Sequence, residues 1–219
     1  MLLQLAIDDP ASFGVVPAVA EFVDIVELGT PVLKRFGVAA LMTLRDMAGG
    51  RPILADAKTV DAGAVEARLL FGAGATMVTI LSVASMATCV AADRVAEEFG
   101  GFLVADTIAA TRLPVAPNEY PPRFAYLALH LATDRRLAGE AVADTVAQVS
   151  PMRALGYRVA IAGGISEMTI SAVIEAAPDI VVVGSAITQA ASPRRMAKWM
   201  SEQLTQRGHG WPPSLRLAP

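Results

Sequence analysis

Cysteine is almost absent: Cys89 stands alone among 219 residues, which excludes an internal disulfide framework and fits a reducing, cytoplasmic setting. Histidine is nearly as scarce, at two residues, and only His130 falls where chemistry is expected; His209 lies in a proline-rich tail and is given no role. No apolar stretch approaches the ~20 uninterrupted residues of a membrane span. The hydrophobic fraction of 54% therefore needs another source. No block of like charge occurs, and 18 basic against 21 acidic residues leave a net charge of -3. That balance lacks the basic footprint of a nucleic-acid binder. The start lacks a basic n-region and a cleavage site, so Leu2–Ile7 reads as a strand and not as a secretory signal.

What the chain does have is a rhythm. Short apolar runs recur at roughly 25-residue spacing, the length of a βα unit. They are Leu2–Ile7 before Asp8, Ile25–Val26 before Glu27, Ile53–Ala55 before Asp56, Met77–Leu81, Phe102–Ala105 before Asp106, Tyr126–Leu129 before His130, Val159–Ala162 before Gly163, and Ile180–Val183 before Gly184. Amphipathic helices are predicted over 64–73, 86–99, 145–155, 168–177 and 193–206. Eight strands alternating with helices predict a (β/α)8 TIM barrel over residues 1–207, followed by an irregular tail, 208–219. Strands buried on both faces account for the high hydrophobic fraction. A doubly wound sheet is the alternative, but no glycine-rich dinucleotide fingerprint follows the first strand. The fifth helix is expected to be irregular, because Pro114, Pro117, Pro121 and Pro122 interrupt that unit.

In a barrel the C-terminal ends of the strands carry the active site. Asp8, Glu27, Asp56, Asp106 and His130 all fall there. Taken singly, each aspartate could be a helix cap and His130 a structural imidazole. Converging, they predict a polar pocket. The stretch Asp56-Ala57-Lys58-Thr59-Val60-Asp61 is the most informative. A D-x-K-x-x-D cluster beside a buried strand is costly unless its charges pair, bind a metal or meet a substrate. Glu27 and Asp56 could hold a hard cation such as Mg2+. Lys58 could stabilise an enolate or deliver a proton. Asp61 is too far along to join Asp56 in one loop and is expected to reach a second subunit's pocket. His130 could act as acid or base near neutral pH. Across the mouth, the turns Gly163-Gly164 and Gly184-Ser185 can turn backbone N–H groups toward a phosphate monoester.

Gln4–Asp8, Val23–Pro31, Ala55–Gly63, Ala162–Ile165 and Val182–Ile187 together resemble the orotidine 5'-phosphate decarboxylase suprafamily over residues 2 to about 200. Within it the chain is most similar to the 3-hexulose-6-phosphate synthase branch, and next to the 3-keto-L-gulonate-6-phosphate decarboxylase branch. The resemblance implies a homodimer with shared active sites, a sugar phosphate substrate and a Mg2+-stabilised 1,2-enediolate. It implies Glu27 and Asp56 as metal ligands, Lys58 as the enediolate partner and Asp61 as a carboxylate lent across the dimer. It puts Asp8 and His130 in the pocket. Gly163, Gly164, Gly184 and Ser185, with Thr59 and Asp106, form the substrate-binding set. The synthase branch joins formaldehyde to D-ribulose 5-phosphate. The decarboxylase branch carries an arginine three residues after the pocket histidine and tends to one in the last phosphate loop; Thr133 and Ser185 stand there instead. Arg135 and Arg136 are out of register. Ser82–Met86 departs from the synthase pattern, as does the proline-rich stretch, and both are expected at the barrel mouth. A non-catalytic phosphosugar-binding barrel is the remaining alternative.

Overall fold

The computed structural model describes residues 1–205; the expected tail over 208–219, with His209, lies outside them. Eight parallel strands close into a barrel in chain order. They are β1 (Leu2–Ile7), β2 (Ile25–Leu28), β3 (Ile53–Thr59), β4 (Met77–Leu81), β5 (Phe102–Asp106), β6 (Phe124–His130), β7 (Val159–Ala162) and β8 (Ile180–Val183). Closure is made by β1 on β8, where Leu2 faces Ile180 and Leu5 faces Val183. An open doubly wound sheet is thereby excluded. Among the described residues no helix is long and apolar enough to cross a membrane.

Side chains alternate across a strand, and this period of two sorts the barrel interior into layers. Leu2, Ile25, Leu54, Met77, Val104, Tyr126, Ala128, Ala160 and Ile180 form an apolar plug. Two residues further toward the C-terminal end, the same interior face carries Gln4, Glu27, Asp56, Thr79, Asp106 and His130. The alternate residues, among them Leu3, Leu5, Val26, Val78 and Ile161, point outward and pack beneath the helices. One strand pattern therefore builds a core on its outer face and a plugged polar well on its inner face.

Two expectations are corrected in detail and a third is met. β3 does not stop at Ala55 but runs through the charged cluster to Thr59, with a register shift against β4 between Ala55 and Thr59. The single helix expected over 145–155 is two short ones, Val142–Val146 and Val149–Ala154. Pro151 cannot donate to a preceding carbonyl, so the second helix starts just before it, where the missing N–H costs no bond. The fifth helix is indeed lost, and a single 3-10 turn, Pro117–Glu119, is the only regular structure between β5 and β6.

That irregular segment is held by side chains in place of a helical ladder. The Glu119 carboxylate accepts from the backbone of Val115 at 2.6 Å and of Ala116 at 3.0 Å. Tyr120 stacks on Phe124 with ring centroids 5.1 Å apart. The buried Tyr157 hydroxyl donates to the Ala116 carbonyl. A hydrogen bond of this kind contributes about 0.5–1.5 kcal/mol. Tyr157→Phe is accordingly expected to lower unfolding free energy by about 1 kcal/mol in urea denaturation. An unchanged midpoint would show that the bond does not hold the segment.

Candidate active site

The well opens at the C-terminal ends of the strands into a cleft of about 830 Å3. One wall is built on β3. Lys58 adopts a left-handed backbone conformation, φ 51°, which costs a residue with a side chain of order 1 kcal/mol or more. Its own N–H donates to Thr79 Oγ1 at 2.9 Å, and that hydroxyl donates to Asp56 Oδ1 at 2.9 Å. These bonds fasten the irregular turn to β4. The turn folds the Lys58 ammonium back onto Asp56 Oδ2. Thr30, entering from the end of β2, donates to the Asp56 carbonyl at 2.7 Å and to Oδ2 at 2.8 Å, and accepts from Lys58 Nζ at 3.1 Å.

Behind this pair lies a second. Asp106 Oδ2 is 3.5 Å from Lys58 Nζ and 3.1 Å from His130 Nδ1, while Oδ1 accepts from the Ile108 backbone at 2.8 Å. Burial opposes ionisation of Asp106, but the His130 contacts and the Lys58 charge outweigh it and hold its carboxyl below the usual range. An ionised carboxylate only accepts, so His130 Nδ1 carries the proton and Nε2 is left as a base. Burial also works against the Lys58 ammonium; the Asp56 and Asp106 carboxylates reverse that and hold its pKa above the ordinary lysine value. Lys58 is therefore a cation at neutral pH, not a base.

The remaining acids are under strain. Glu27 is only 7% exposed, and among the described residues its one side-chain donor is the Gln4 amide. Burial, then repulsion from Asp56 and Asp8, pushes its carboxyl well up. Asp8 is raised in the same direction by desolvation within the mouth and by Asp56. Its carboxylate lies over Gly29, where a Cβ would stand 2.0 Å from Oδ1. Glycine at position 29 is what lets Asp8 lean into the cleft. Three carboxylates, Asp8, Glu27 and Asp56, thus crowd one ammonium. Such an oxygen-rich, under-compensated set suits a hard cation that takes one or two carboxylates and completes its shell with water and substrate. Among the described residues, no group of three or more acidic, histidine or cysteine side chains is arranged as an all-protein metal cage.

The opposite wall is glycine. Gly163 and Gly164 both have positive φ, 94° and 73°. A Cβ on Gly163 would stand 2.2 Å from the Leu131 carbonyl. Gly163, Gly164 and Ile165 line the cleft, and their N–H groups make no hydrogen bond among the described residues. Gly184 and Ser185, after β8, line it from the side.

Of the expected site residues, the cleft brings together Asp8, Glu27, Asp56, Lys58, His130, Gly163, Gly164, Gly184 and Ser185. Three are placed otherwise. Asp61 is exposed outside the cleft, where its carboxylate accepts from the Ala62 backbone at 2.7 Å. Thr59 is buried and donates to Glu66, bracing the start of the next helix instead of facing substrate. Asp106 sits behind the wall, orienting His130 and Lys58. Ser82–Met86 and the proline-rich stretch do not line the cleft either, contrary to expectation. Ser85 caps the helix Met86–Phe99 through Thr88 N at 3.1 Å, and Tyr120 and Pro122 line a separate hollow of about 550 Å3 with the first residues of β6. Thr30, Thr79 and Arg136 are site residues that the sequence reading did not select. Thr79 alone had a usable signal, since it stands two residues beyond Met77 on the interior face.

The barrel and this two-walled cleft define an enzyme of the (β/α)8 class. The family model for the orotidine 5'-phosphate decarboxylase / HUMPS family matches residues 1–200, and the chain belongs to that family. It is 36% identical over 202 residues to 3-hexulose-6-phosphate synthase of Staphylococcus epidermidis, covering 90% of this chain and 96% of the relative. Among solved structures, it superposes on 3-hexulose-6-phosphate synthase from Salmonella typhimurium with a TM-score of 0.86 at 38% identity, covering 94% and 99% of the two chains. With 3-keto-L-gulonate-6-phosphate decarboxylase from Vibrio cholerae the TM-score is 0.77 at 26% identity, over 96% and 99%. The protein is an enzyme, a lyase.

Burial, and then repulsion from Asp56 and Asp8, penalises ionisation of Glu27 in the folded chain, a penalty that a neutral side chain avoids. Glu27→Gln is expected to raise the stability of metal-free protein at pH 7 by about 0.5–2 kcal/mol while lowering activity. A raised folded-state pKa means that stability falls as pH climbs through it. The advantage of the variant should therefore fade as pH is lowered toward the ordinary glutamate range. Thermal unfolding of both proteins across pH tests this, and a variant less stable than wild type at pH 7 would overturn it.

Proposed function

We propose that the enzyme joins formaldehyde to D-ribulose 5-phosphate, or runs the reverse cleavage, through a 1,2-enediolate, as its 3-hexulose-6-phosphate synthase relatives are named to do. The observation that carries the reading is the Lys58 ammonium, fixed between Asp56 and Asp106, facing a glycine wall able to receive a phosphate. Glu27 and Asp56 would hold Mg2+, which when bound supplies Lewis-acid stabilisation of negative charge on the substrate's oxygens. His130 Nε2 removes the proton beside the ketose carbonyl, with Asp106 stabilising the imidazolium that results. Lys58 answers the negative charge that develops on the enediolate. The polar well below is closed by the apolar plug, so water reaches the reacting carbon only from the mouth. A decarboxylase reading is weaker, because Thr133 and Ser185 stand where that branch carries arginines. A non-catalytic barrel would have no use for a strained, charge-crowded Lys58.

The reading includes a cytoplasmic homodimer with shared sites. Asp61 stands outside its own cleft, and Val60, Val65 and Leu69 beside it are exposed apolar residues. A partner docked on this face would cover them and receive Asp61 at its cleft. The lone buried Cys89 accords with a reducing compartment.

Incubation with ribulose 5-phosphate, formaldehyde and Mg2+ should consume formaldehyde at least about 100-fold faster than the Lys58→Ala variant, as expected for loss of a charge-stabilising group. Equal rates would sink the proposal. Shared sites are tested by mixing two inactive variants, Lys58→Ala and Asp61→Asn, under subunit exchange. Half the dimers would then be mixed, each with one intact site, restoring about a quarter of wild-type activity. No restoration would place Asp61 outside the catalytic unit.

A further inference from the structure

Among the described residues, two permanently cationic side chains line the cleft, Lys58 and Arg136. Lys58 is committed to the acidic wall, bonded to Asp56 and 3.5 Å from Asp106. A phosphate dianion placed there would meet Asp8, Glu27 and Asp56. On the glycine wall the charge balance is different. Arg136 belongs to the short helix Thr133–Leu137 after β6. Its stem lies over the Gly163–Gly164 turn: a Cβ on Gly164 would stand 2.9 Å from Arg136 Cδ and 3.9 Å from Nε. The neighbouring Arg135 is engaged, donating from Nε to Glu140 at 2.7 Å. Arg136 has no side-chain hydrogen bond or ion pair among the described residues, although Asp134 lines the same cleft. An unpaired arginine, its stem over Gly164, therefore shares the cleft wall with Gly163, Gly164 and Ile165, whose N–H groups are unbonded among the described residues.

We propose that Arg136 is the cationic member of the phosphate subsite, closing over the glycine turn to grip the phosphate monoester and so selecting phosphorylated over free ketoses. This rests on the phosphosugar reading above. The backbone donors alone bring only partial charges to a dianion, whereas a guanidinium adds a full charge and a planar fork that matches two phosphate oxygens. Exposure of Arg136 in the free protein keeps it solvated without a competing carboxylate. The helix carrying it starts three residues beyond His130. The group that grips the phosphate and the group that moves the proton thus issue from one strand end.

Steady-state kinetics of wild type, Arg136→Gln, Arg136→Lys and Arg135→Gln on ribulose 5-phosphate test the proposal. Loss of a charged hydrogen-bonding group predicts a KM for ribulose 5-phosphate raised about tenfold to hundredfold in Arg136→Gln, with a much smaller loss in kcat. Arg136→Lys should recover part of the KM, inhibition by inorganic phosphate should weaken in parallel, and Arg135→Gln should behave as wild type. A KM within about twofold of wild type in Arg136→Gln, or an equal loss in Arg135→Gln, would overturn it. If wild type consumes no formaldehyde, the reaction reading fails by itself, and calorimetric titration with ribulose 5-phosphate then decides on Arg136. Binding weakened at least about tenfold in Arg136→Gln supports the subsite; equal binding, or none to wild type, refutes it.

Discussion

The ion pair between Lys58 and Asp56 is the constraint from which the rest of the site follows. A half-buried ammonium and a buried carboxylate are tolerable only if each is also hydrogen-bonded. Thr30 and Thr79 meet that need from β2 and β4, the strands flanking β3. Asp106 meets it from β5 and carries the linkage on to His130 at the end of β6. Five consecutive strands are thereby tied to one side chain at their mouth ends, while the apolar plug ties them below. The backbone of Lys58 is bent into an unfavourable region to make this possible, and the bonds to Thr79 and Asp56 keep it there.

The same arrangement leaves a surplus of negative charge. Lys58 is paired with Asp56 and lies 3.5 Å from Asp106, but Glu27 and Asp8 have no ion pair among the described residues. Burial first, and then repulsion from Asp56, raises both of their pKa values. At buried Glu27 the surplus is hard to account for as architecture, since an apolar side chain there would extend the plug. It makes sense where a cation and a substrate with polarised oxygens are bound in turn, so that stability is given up for a site that is balanced only when occupied.

Much of this was legible in the residues because a parallel barrel writes its function at fixed places. Apolar runs ending in Asp8, Glu27, Asp56 and His130, and two glycine turns after the last strands, mark the mouth directly. What was not legible depended on contacts between distant segments. Nothing local says that Lys58 takes a left-handed conformation, because the stabilising hydroxyl is Thr79, a strand away. Thr59 faces Glu66 for the same reason, one pleat off the interior face. Asp106 looked like a ligand or a cap; it caps Ile108 with one oxygen and orients His130 and Lys58 with the other. Arg136 looked out of register by comparison with a linear motif. Its stem lies over the Gly163–Gly164 turn, a contact between distant segments that no linear motif contains.

The departures from related sequences also acquire a different meaning once placed. Ser82–Met86 and the proline-rich stretch depart from the synthase pattern, and both were expected at the barrel mouth. Neither touches the cleft. The prolines run along the outside of the barrel from the mouth end of β5 to the opposite end of β6, replacing a helix as cover. Ser85 is used to start the next helix. The acidic wall and the glycine wall, which do line the cleft, hold the residues on which the resemblance to the synthase branch rests. The departures therefore fall where the barrel is covered, and the residues that carry the resemblance fall where charge lines the cleft, as expected of connecting segments that vary around a functional site.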